Sequence, residues 1–152
     1  MPSRRLYGRA VGWRFTCQEK EKGIASVGYY RDFGRQSVKV KEDLRGLLSE
    51  LNRQGKSIAA YGASAKGSTL LNFAGLGKEW IGFVADRSTV KQGRLSPGAH
   101  LPIVPPEELL KRRPDYTLLL TWNFAEEILE QQQPYRAAGG KFIIPIPKVT
   151  VV

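Results

Sequence analysis

The chain has 152 residues, with 24 Lys and Arg against 14 Asp and Glu, and a formal net charge of +10. This length fits one domain, and 41% hydrophobic with 25% charged residues argues against wholesale disorder. The single cysteine, Cys17, excludes an intrachain disulfide, and with His100 as the only histidine no zinc centre of the usual kind can be assembled. No apolar run approaches the roughly 20 residues of a membrane span, and the start lacks the apolar stretch of a signal peptide. We therefore expect a soluble, cytoplasmic protein with no membrane contact.

Most of the positive charge lies near the start of the chain. Residues 1–41 carry ten basic and three acidic side chains, a net of +7. A nucleic-acid-binding domain usually spreads its basic residues over the folded body or along one face. Aromatic and basic residues alternate in RRLYGRAVGWRF, residues 4–15, as on single-strand-binding surfaces, but no RNA-binding fingerprint accompanies them. We therefore interpret residues 1–37 as a basic arm or connector and do not expect a nucleic-acid partner.

The arm gives only weak signals of secondary structure. Glycines at positions 8, 12, 23, 28 and 34 interrupt any helical pattern. An alternating set of apolar residues favours a short strand or hairpin instead, and it consists of Leu6, Tyr7, Val11, Trp13 and Phe15.

From Val38 onward the pattern is regular. Ser37 is placed to cap a helix running to about Gln54, with Gly55 as its left-handed C-cap. Apolar strands then alternate with helical segments. The predicted strands are 57–62, 80–86, 101–104, 116–122 and 141–147, and the predicted helices after the first are 68–75, 105–113 and 123–140, the last split or kinked at Pro134. This alternation predicts an α/β, Rossmann-like, doubly wound and mostly parallel sheet of about five strands.

The strongest local feature is the first strand–loop–helix turn, AYGASAKGSTLLN, residues 60–72. Ligands of open α/β sheets bind beyond the carboxyl ends of the strands. Gly62 allows a sharp turn after Tyr61, and Gly67 allows the helix start to approach closely. The N–H groups around Ser64, Ala65, Lys66 and Gly67 would then face an anion, with the Lys66 ammonium and serine hydroxyls adding phosphate contacts.

Asp86 ends the second predicted strand, 24 positions after Gly62. This is close to the offset of about 20 residues at which a dinucleotide fold places its ribose-binding acid. The pair predicts a nucleotide diphosphate, with its pyrophosphate at the helix start and a ribose hydroxyl on Asp86. The motif is not diagnostic, because Ser64 replaces the middle glycine of the dinucleotide fingerprint, and glycines that serve only strand–helix packing stay a valid alternative.

Other residues near the predicted carboxyl edge are ambiguous. The loop after Asp86 is cationic, through Arg87, Lys91 and Arg94, and bends at Gly93, so it either folds over a phosphate or sugar or is simply solvated. Trp122 and Asn123 follow the fourth strand, where Asn123 is equally suited to capping a helix. His100 is interpreted as structural. No set of residues forms recognisable catalytic machinery.

Four blocks resemble the C-terminal domain of the SAM-dependent sugar C-methyltransferases. They are YGASAKGSTLLN, VADRSTVKQGRLSPGAHLPIVPPEEL, RPDYTLLLTWNFAEEIL and GGKFIIPIP. The resemblance covers about residues 38–152, and residues 1–37 match only loosely. In that family a zinc module and a SAM-binding catalytic domain precede this Rossmann-like domain, which holds much of the nucleotide of a nucleotide-linked keto-sugar in deoxysugar biosynthesis.

The resemblance implies a substrate-binding half with no catalytic residues or metal of its own. S-adenosylmethionine would be the cofactor of the full-length family enzyme, and the partners would be a nucleotide-diphosphate sugar and a SAM-binding domain or subunit. It implies pyrophosphate contacts from Tyr61 to Gly67, including Ala63, with Asp86 and Lys91 nearby. Two alternatives stay open: a non-catalytic module docking on a separate methyltransferase subunit, and an NAD-type dinucleotide-binding domain.

Overall fold

A computed structural model describes Glu19 and residues 21–24 and 26–152. The contacts divide the chain into two units, Met1–Lys39 and Val40–Val152. The strand or hairpin predicted between Leu6 and Phe15 lies outside the described residues.

The first long helix, α1 (Val27–Arg53), begins eleven residues before Val38, the first helical residue that the sequence predicts. Gly28 and Gly34 both lie inside it, so the prediction that glycines prevent a helix here is wrong for this segment. Ser37 is also not an N-cap, since its hydroxyl donates to the Phe33 carbonyl one turn back within the helix. One glycine costs a helix interior only about 1 kcal/mol, so two glycines need not end a helix that continues for several turns.

The second half of α1 is amphipathic and packs on the sheet. Leu44, Leu48 and Leu51 are buried on one face. The helix ends at Arg53 and is followed, as predicted, by a left-handed Gly55 with a φ of 73°. The Lys56 N–H donates to the Leu51 carbonyl and completes the C-cap.

The predicted fold class is confirmed, and the sheet formed by the described residues has six strands instead of about five. The strands are β1 (Ile58–Tyr61), β2 (Val84–Ala85), β3 (Ile103–Val104), β4 (Tyr116–Leu119), β5 (Lys141–Ile144) and β6 (Thr150–Val151). The helices after α1 are α2 (Ala65–Ala74), α3 (Glu107–Arg112), a 3-10 turn (Trp122–Phe124), α4 (Ala125–Gln131) and α5 (Gln133–Ala137). Pro134 lies at the start of α5, so the predicted split of the last helical segment is confirmed.

The strand order is β3-β2-β1-β4-β5-β6, in which the first five strands are parallel and β6 is antiparallel to β5. This order reverses between β1 and β4, so a crevice is expected beyond their carboxyl ends. The predicted strand 80–86 contributes only Val84 and Ala85 to the ladder, and the edge strand β6 was not predicted.

Side chains alternate between the two faces of the sheet. Ile58 and Ala60 of β1 join the cluster that contains the α1 leucines, whereas Ala59 and Tyr61 join a second cluster on the other face with Leu109 and Ile128 of α3 and α4. Both faces of the sheet are therefore covered by helices.

At the amino-terminal ends of the strands, Asp115, which directly precedes β4, connects β4 to the start of β1. Its carboxylate accepts hydrogen bonds from the Ser57 N–H at 2.8 Å and the Ser57 hydroxyl at 2.7 Å, and Lys56 lies 3.2 Å away. These bonds, the backbone one first, lower the pKa of Asp115 to about 2.

We expect this carboxylate to make stability pH-dependent in the acid range. Because the folded pKa lies below the ordinary value, the stabilisation is complete above about pH 4 and is lost as the pH falls towards about 2. The side chain is 38% exposed, so after solvent screening we expect a contribution of only about 1 kcal/mol. Urea unfolding between pH 2.5 and 6 should show a weaker pH dependence in Asp115→Asn than in the parent chain, and parallel curves would contradict the assignment.

Candidate functional site

The carboxyl ends of β1, β2 and β4 converge at the crevice that the strand order predicts. β1 ends at Tyr61, β2 is followed by Asp86, and β4 leads through Leu120 to Thr121. The predicted site residues 61–67, Asp86, Trp122 and Asn123 all lie at or directly after these three strand ends.

The turn after β1 requires glycine at its first position. Gly62 has a φ of 89°, a left-handed conformation that side chains disfavour. A Cβ built on it would lie 2.5 Å from the Thr121 hydroxyl oxygen. The predicted sharp turn at Gly62 is therefore present, and it brings the β1–α2 turn against the chain leaving β4.

Ser64 and Gly67 fix the start of α2. The Ser64 hydroxyl caps the helix by accepting a hydrogen bond from the Gly67 N–H at 3.0 Å, and it donates to the Leu120 carbonyl at 3.1 Å. A Cβ on Gly67 would lie 2.5 Å from the Leu120 Cβ. The predicted close approach of the helix start is thus observed, with the capping serine in place of the middle glycine of the dinucleotide fingerprint.

Most N–H groups of the turn already have acceptors. Gly62 donates to the Ala85 carbonyl, Ser64 to the Gly62 carbonyl, and Ala63 to the Asp86 carboxylate at 2.6 Å. In the part of the chain that the structure describes, the N–H groups of Ala65 and Lys66 make no hydrogen bond. The surface offered to an anion is therefore these two amides at the positive end of the helix, narrower than the predicted seven-residue loop.

Asp86 joins the turn to the loop that follows β2. One carboxylate oxygen accepts the Ala63 N–H and the other accepts the Ser88 N–H at 2.7 Å. Lys91 lies 3.6 Å from the same carboxylate and donates to the Ala63 carbonyl at 2.9 Å. Asp86 and Lys91 thus hold the turn in shape, and the carboxylate, with about four acceptor positions, keeps capacity for a further donor.

Lys66 points along the carboxyl edge towards the end of β4. Its ammonium hydrogen-bonds to the side-chain oxygen of Asn123 and lies 5.2 Å from the centre of the Trp122 ring. The three predicted residues Lys66, Trp122 and Asn123 therefore form one contact group, in which the other two side chains hold the ammonium beside the start of α2.

A cleft of about 280 Å³ opens on the α4 side of the same strand ends. Its lining residues come from β1 and its turn, the end of β2, the segment after β4, and α4, and they are Tyr61, Gly62, Asp86, Arg87, Thr121, Phe124, Glu127, Ile128 and Gln131. Arg87 is held at its rim by Gln131 at 3.3 Å and Glu127 at 3.9 Å.

Two hydroxyls in this lining, those of Tyr61 and Thr121, are buried and have no hydrogen-bond partner among the described residues. Burial raises the pKa of Tyr61 above its ordinary value, and the Arg87 guanidinium opposes the rise. The Gln132 side chain lies near enough to Tyr61 to lower that pKa in part, but no hydrogen bond of normal geometry joins them.

Some cleft residues were not predicted from the sequence. Thr121, Phe124 and Gln131 were missed, although Thr121 directly precedes the pair Trp122 and Asn123 that marked the end of β4. Its position at the carboxyl edge of a central strand was the available signal.

The predicted site residue Gly93 lies apart from the cleft, as does His100, which the sequence analysis interprets as structural. Gly93 has a φ of 78° and donates its N–H to the Ile103 carbonyl at the edge strand β3. His100, with a φ of 53°, is exposed. Neither lines the cleft, so neither adds to the site as the structure shows it.

A family model described as the C-methyltransferase C-terminal domain matches residues 8–147. The chain belongs to this family. The match begins inside the segment for which the sequence suggested only a loose resemblance, so most of the basic arm is part of the family pattern.

A curated relative of this C-methyltransferase C-terminal domain is the C-methyltransferase NovU of Streptomyces niveus. It is 41% identical over 136 residues, which are 90% of this chain and 32% of the relative. The chain thus spans about a third of the length of that protein.

Two features are absent from the described residues. No helix among them is long and apolar enough to cross a membrane. No group of three or more His, Cys, Asp or Glu side chains in the same part of the chain is placed to hold a metal ion.

We expect the closeness of α2 to β4 to make Gly67 intolerant of a side chain. Gly67→Ala should lower the free energy of unfolding by about 1–3 kcal/mol, because the new methyl group overlaps the buried Leu120 side chain. Gly46→Ala is the matched control, since Gly46 is an exposed position of α1 with no atom near a built Cβ. That control should gain up to about 1 kcal/mol from helix propensity. Urea unfolding measures both, and a stabilised Gly67→Ala would show that the two segments are farther apart.

Proposed function

We propose that this chain is the nucleotide-sugar-binding C-terminal domain of a SAM-dependent C-methyltransferase that acts in deoxysugar biosynthesis. The reaction is methyl transfer to a carbon of a nucleotide-linked keto-sugar. The proposal also places the SAM-binding and catalytic groups outside these 152 residues. Its support is the family, which is described as a C-terminal domain, and a C-methyltransferase relative about three times as long as the matched segment.

The observation that carries the proposal is the pair of free N–H groups at the start of α2. Ala65 and Lys66 lie at the point where the strand order reverses, where open α/β sheets bind their ligands. A helix N-terminus with unpaired amides favours an anionic ligand such as a diphosphate. The Lys66 ammonium, held beside it by Asn123 and Trp122, adds positive charge next to the amides.

Asp86 supplies the second contact in this proposal. Its carboxylate lies next to the turn at the end of β2, where dinucleotide-binding folds hold a ribose hydroxyl. Both of its oxygens already accept one N–H group each, so a ribose hydroxyl would be a third donor to the same carboxylate.

An NAD-type dinucleotide is the second candidate, because β3-β2-β1-β4-β5 is the order of dinucleotide-binding sheets. The difference lies at Ser64, which caps α2 where the dinucleotide fingerprint has a glycine that lets the backbone approach the pyrophosphate. A ligand contact through Ala65 and Lys66 is compatible with that capping side chain, whereas a close approach at Ser64 is not.

We expect nucleotide sugars to perturb the start of α2 in solution. Titrating the isotope-labelled chain with thymidine or uridine diphosphate sugars should shift the amide signals of Ala65, Lys66 and Asp86. NAD and S-adenosylmethionine should leave those signals in place. An intact spectrum without shifts at saturating nucleotide sugar would contradict the proposal, and shifts with NAD alone would favour the second candidate.

Loss of the Lys66 charge should weaken this binding. We expect Lys66→Gln to reduce the affinity for a nucleoside diphosphate about fivefold to twentyfold, because a charge-assisted contact to phosphate is removed. Lys141→Gln removes the same charge at the opposite edge of the sheet, where β5 begins, and should leave affinity unchanged. Calorimetry would measure both affinities. Equal effects of the two substitutions would contradict a direct phosphate contact from Lys66 and would indicate only a general electrostatic effect.

A further inference from the structure

The first half of α1 exposes its aromatic side chains to solvent. Phe33 is 62% exposed, Tyr30 is 59% exposed and Tyr29 is 36% exposed. Every residue from 26 to 36 is exposed, whereas in the second half of the helix Leu44 is fully buried. Large apolar side chains grouped on one exposed element mark an interaction site, because a domain gains no stability from leaving them in water.

The three aromatic rings form one face of the helix. Phe33 follows Tyr29 by four residues and Tyr30 by three, and these are the spacings that bring helical side chains together. The Tyr29 and Tyr30 rings meet edge to face, with their centroids 5.6 Å apart. The Ser26 hydroxyl accepts the Tyr29 N–H at 3.2 Å and so caps the start of the helix. We call Tyr29, Tyr30 and Phe33 the aromatic face of α1.

A groove of about 400 Å³ lies beside the aromatic face. Tyr29 and Phe33 line it together with the charged residues Lys22 and Asp32, and Asp32 pairs with Arg35 at 3.2 Å. A lipid surface would remove water from the Asp32 carboxylate, and a nucleic acid would bring phosphates close to it. Aromatic rings next to charges of both signs are instead typical of a protein interface, which has an apolar centre and a polar rim.

Membership of the family points to the partner of this face. The family model, described as a C-terminal domain, matches residues 8–147, so the aromatic face lies inside the family pattern. The matched segment is only 32% of the C-methyltransferase relative. A surface that belongs to the pattern of a C-terminal domain and lies early in its sequence fits the part of the enzyme that precedes it. Residues 1–39 carry nine basic and three acidic side chains, so an acidic rim on that part would complement them.

We propose that the aromatic face of α1 is the docking surface for the SAM-binding catalytic domain. The inference rests on the proposed function, which places the SAM-binding and catalytic groups outside these 152 residues. Tyr30 and Phe33 lie at the centre of the contact and lose their exposed area when the two domains meet. Such a contact holds the substrate-binding domain in a fixed position relative to the catalytic groups, and methyl transfer between two domains requires this positioning.

The test is Phe33→Glu in a fusion in which this full chain replaces the matched segment of the C-methyltransferase relative. A charged side chain at the centre of an apolar contact should separate the two parts. We expect thermolysin to cleave the variant between them about tenfold faster under native conditions, since cleavage follows the population of the undocked state. Thermal unfolding should change from one transition to two. Val38→Glu is the matched control, because Val38 is also exposed on α1 and lies about 140° around the helix from Phe33. The control should behave as the parent fusion does.

Unfolding of the chain alone gives a second readout. Phe33→Glu and Tyr30→Glu should unfold at the same urea concentration as the parent chain, because both side chains are already exposed. A clearly lower midpoint for both variants would show that another part of this chain covers the aromatic face, and that result would overturn the inference. Tyr30→Glu in the fusion should reproduce the faster cleavage of Phe33→Glu.

The outcomes separate this inference from the proposed function. If both variants leave the cleavage rate of the fusion unchanged, or if the parent fusion already unfolds in two transitions, the aromatic face is not the docking surface and the proposed function stands. If the chain binds a single-stranded oligonucleotide or phosphatidylglycerol vesicles, and Phe33→Glu abolishes only that binding, the face belongs to a nucleic acid or a membrane instead. If the variants separate the fusion but no nucleotide sugar binds the chain, the proposed ligand is wrong and the docking surface stands. A parent fusion that does not bind S-adenosylmethionine would contradict both.

Discussion

The β1–α2 turn lies against the chain that leaves β4, and this close approach determines the geometry of the whole site. Gly62 faces Thr121 and Gly67 faces Leu120, and at each position a Cβ would lie 2.5 Å from an atom of the neighbouring segment. β1 and β4 are adjacent in the sheet, and the Ser64 hydroxyl donates to the Leu120 carbonyl. A shift of the turn away from β4 would break this hydrogen bond. The free amides of Ala65 and Lys66 are therefore held in a fixed place.

Asp86 extends this constraint to a third strand. Its carboxylate bonds the turn after β1 and the loop after β2 together, and Lys91 reinforces the junction. Three strand ends thus form one connected unit through short hydrogen bonds. A site built in this way is preorganised, since its donors need little rearrangement when a ligand binds.

The regular part of the chain was predictable because its local signals agree with its packing. The apolar run at Ile58–Tyr61, the glycines at 62 and 67 and the proline at 134 each marked the structure that is observed. The start of α1 was not predictable in the same way, because Gly28 and Gly34 weaken a helix without ending it. β6 was missed because a two-residue strand has no periodicity, and it is defined only by pairing with β5.

The site was only partly readable from sequence for a related reason. Motif residues such as Asp86 and Lys66 can be identified in the sequence from their residue type and their position. Which N–H groups stay free, and which hydroxyls lack a partner, depends on what the rest of the fold brings near them. The Ala63 N–H is not free for a ligand because it donates to Asp86, and the Thr121 hydroxyl makes no hydrogen bond among the residues that the structure describes.

The most direct measurement is a crystal structure of the chain with a thymidine or uridine diphosphate sugar bound. We expect phosphate oxygens within about 3.2 Å of the Ala65 and Lys66 nitrogens, the normal limit for such a hydrogen bond. A diphosphate bound away from the start of α2, with both amides still unpaired, would contradict the central claim that this turn binds the anion.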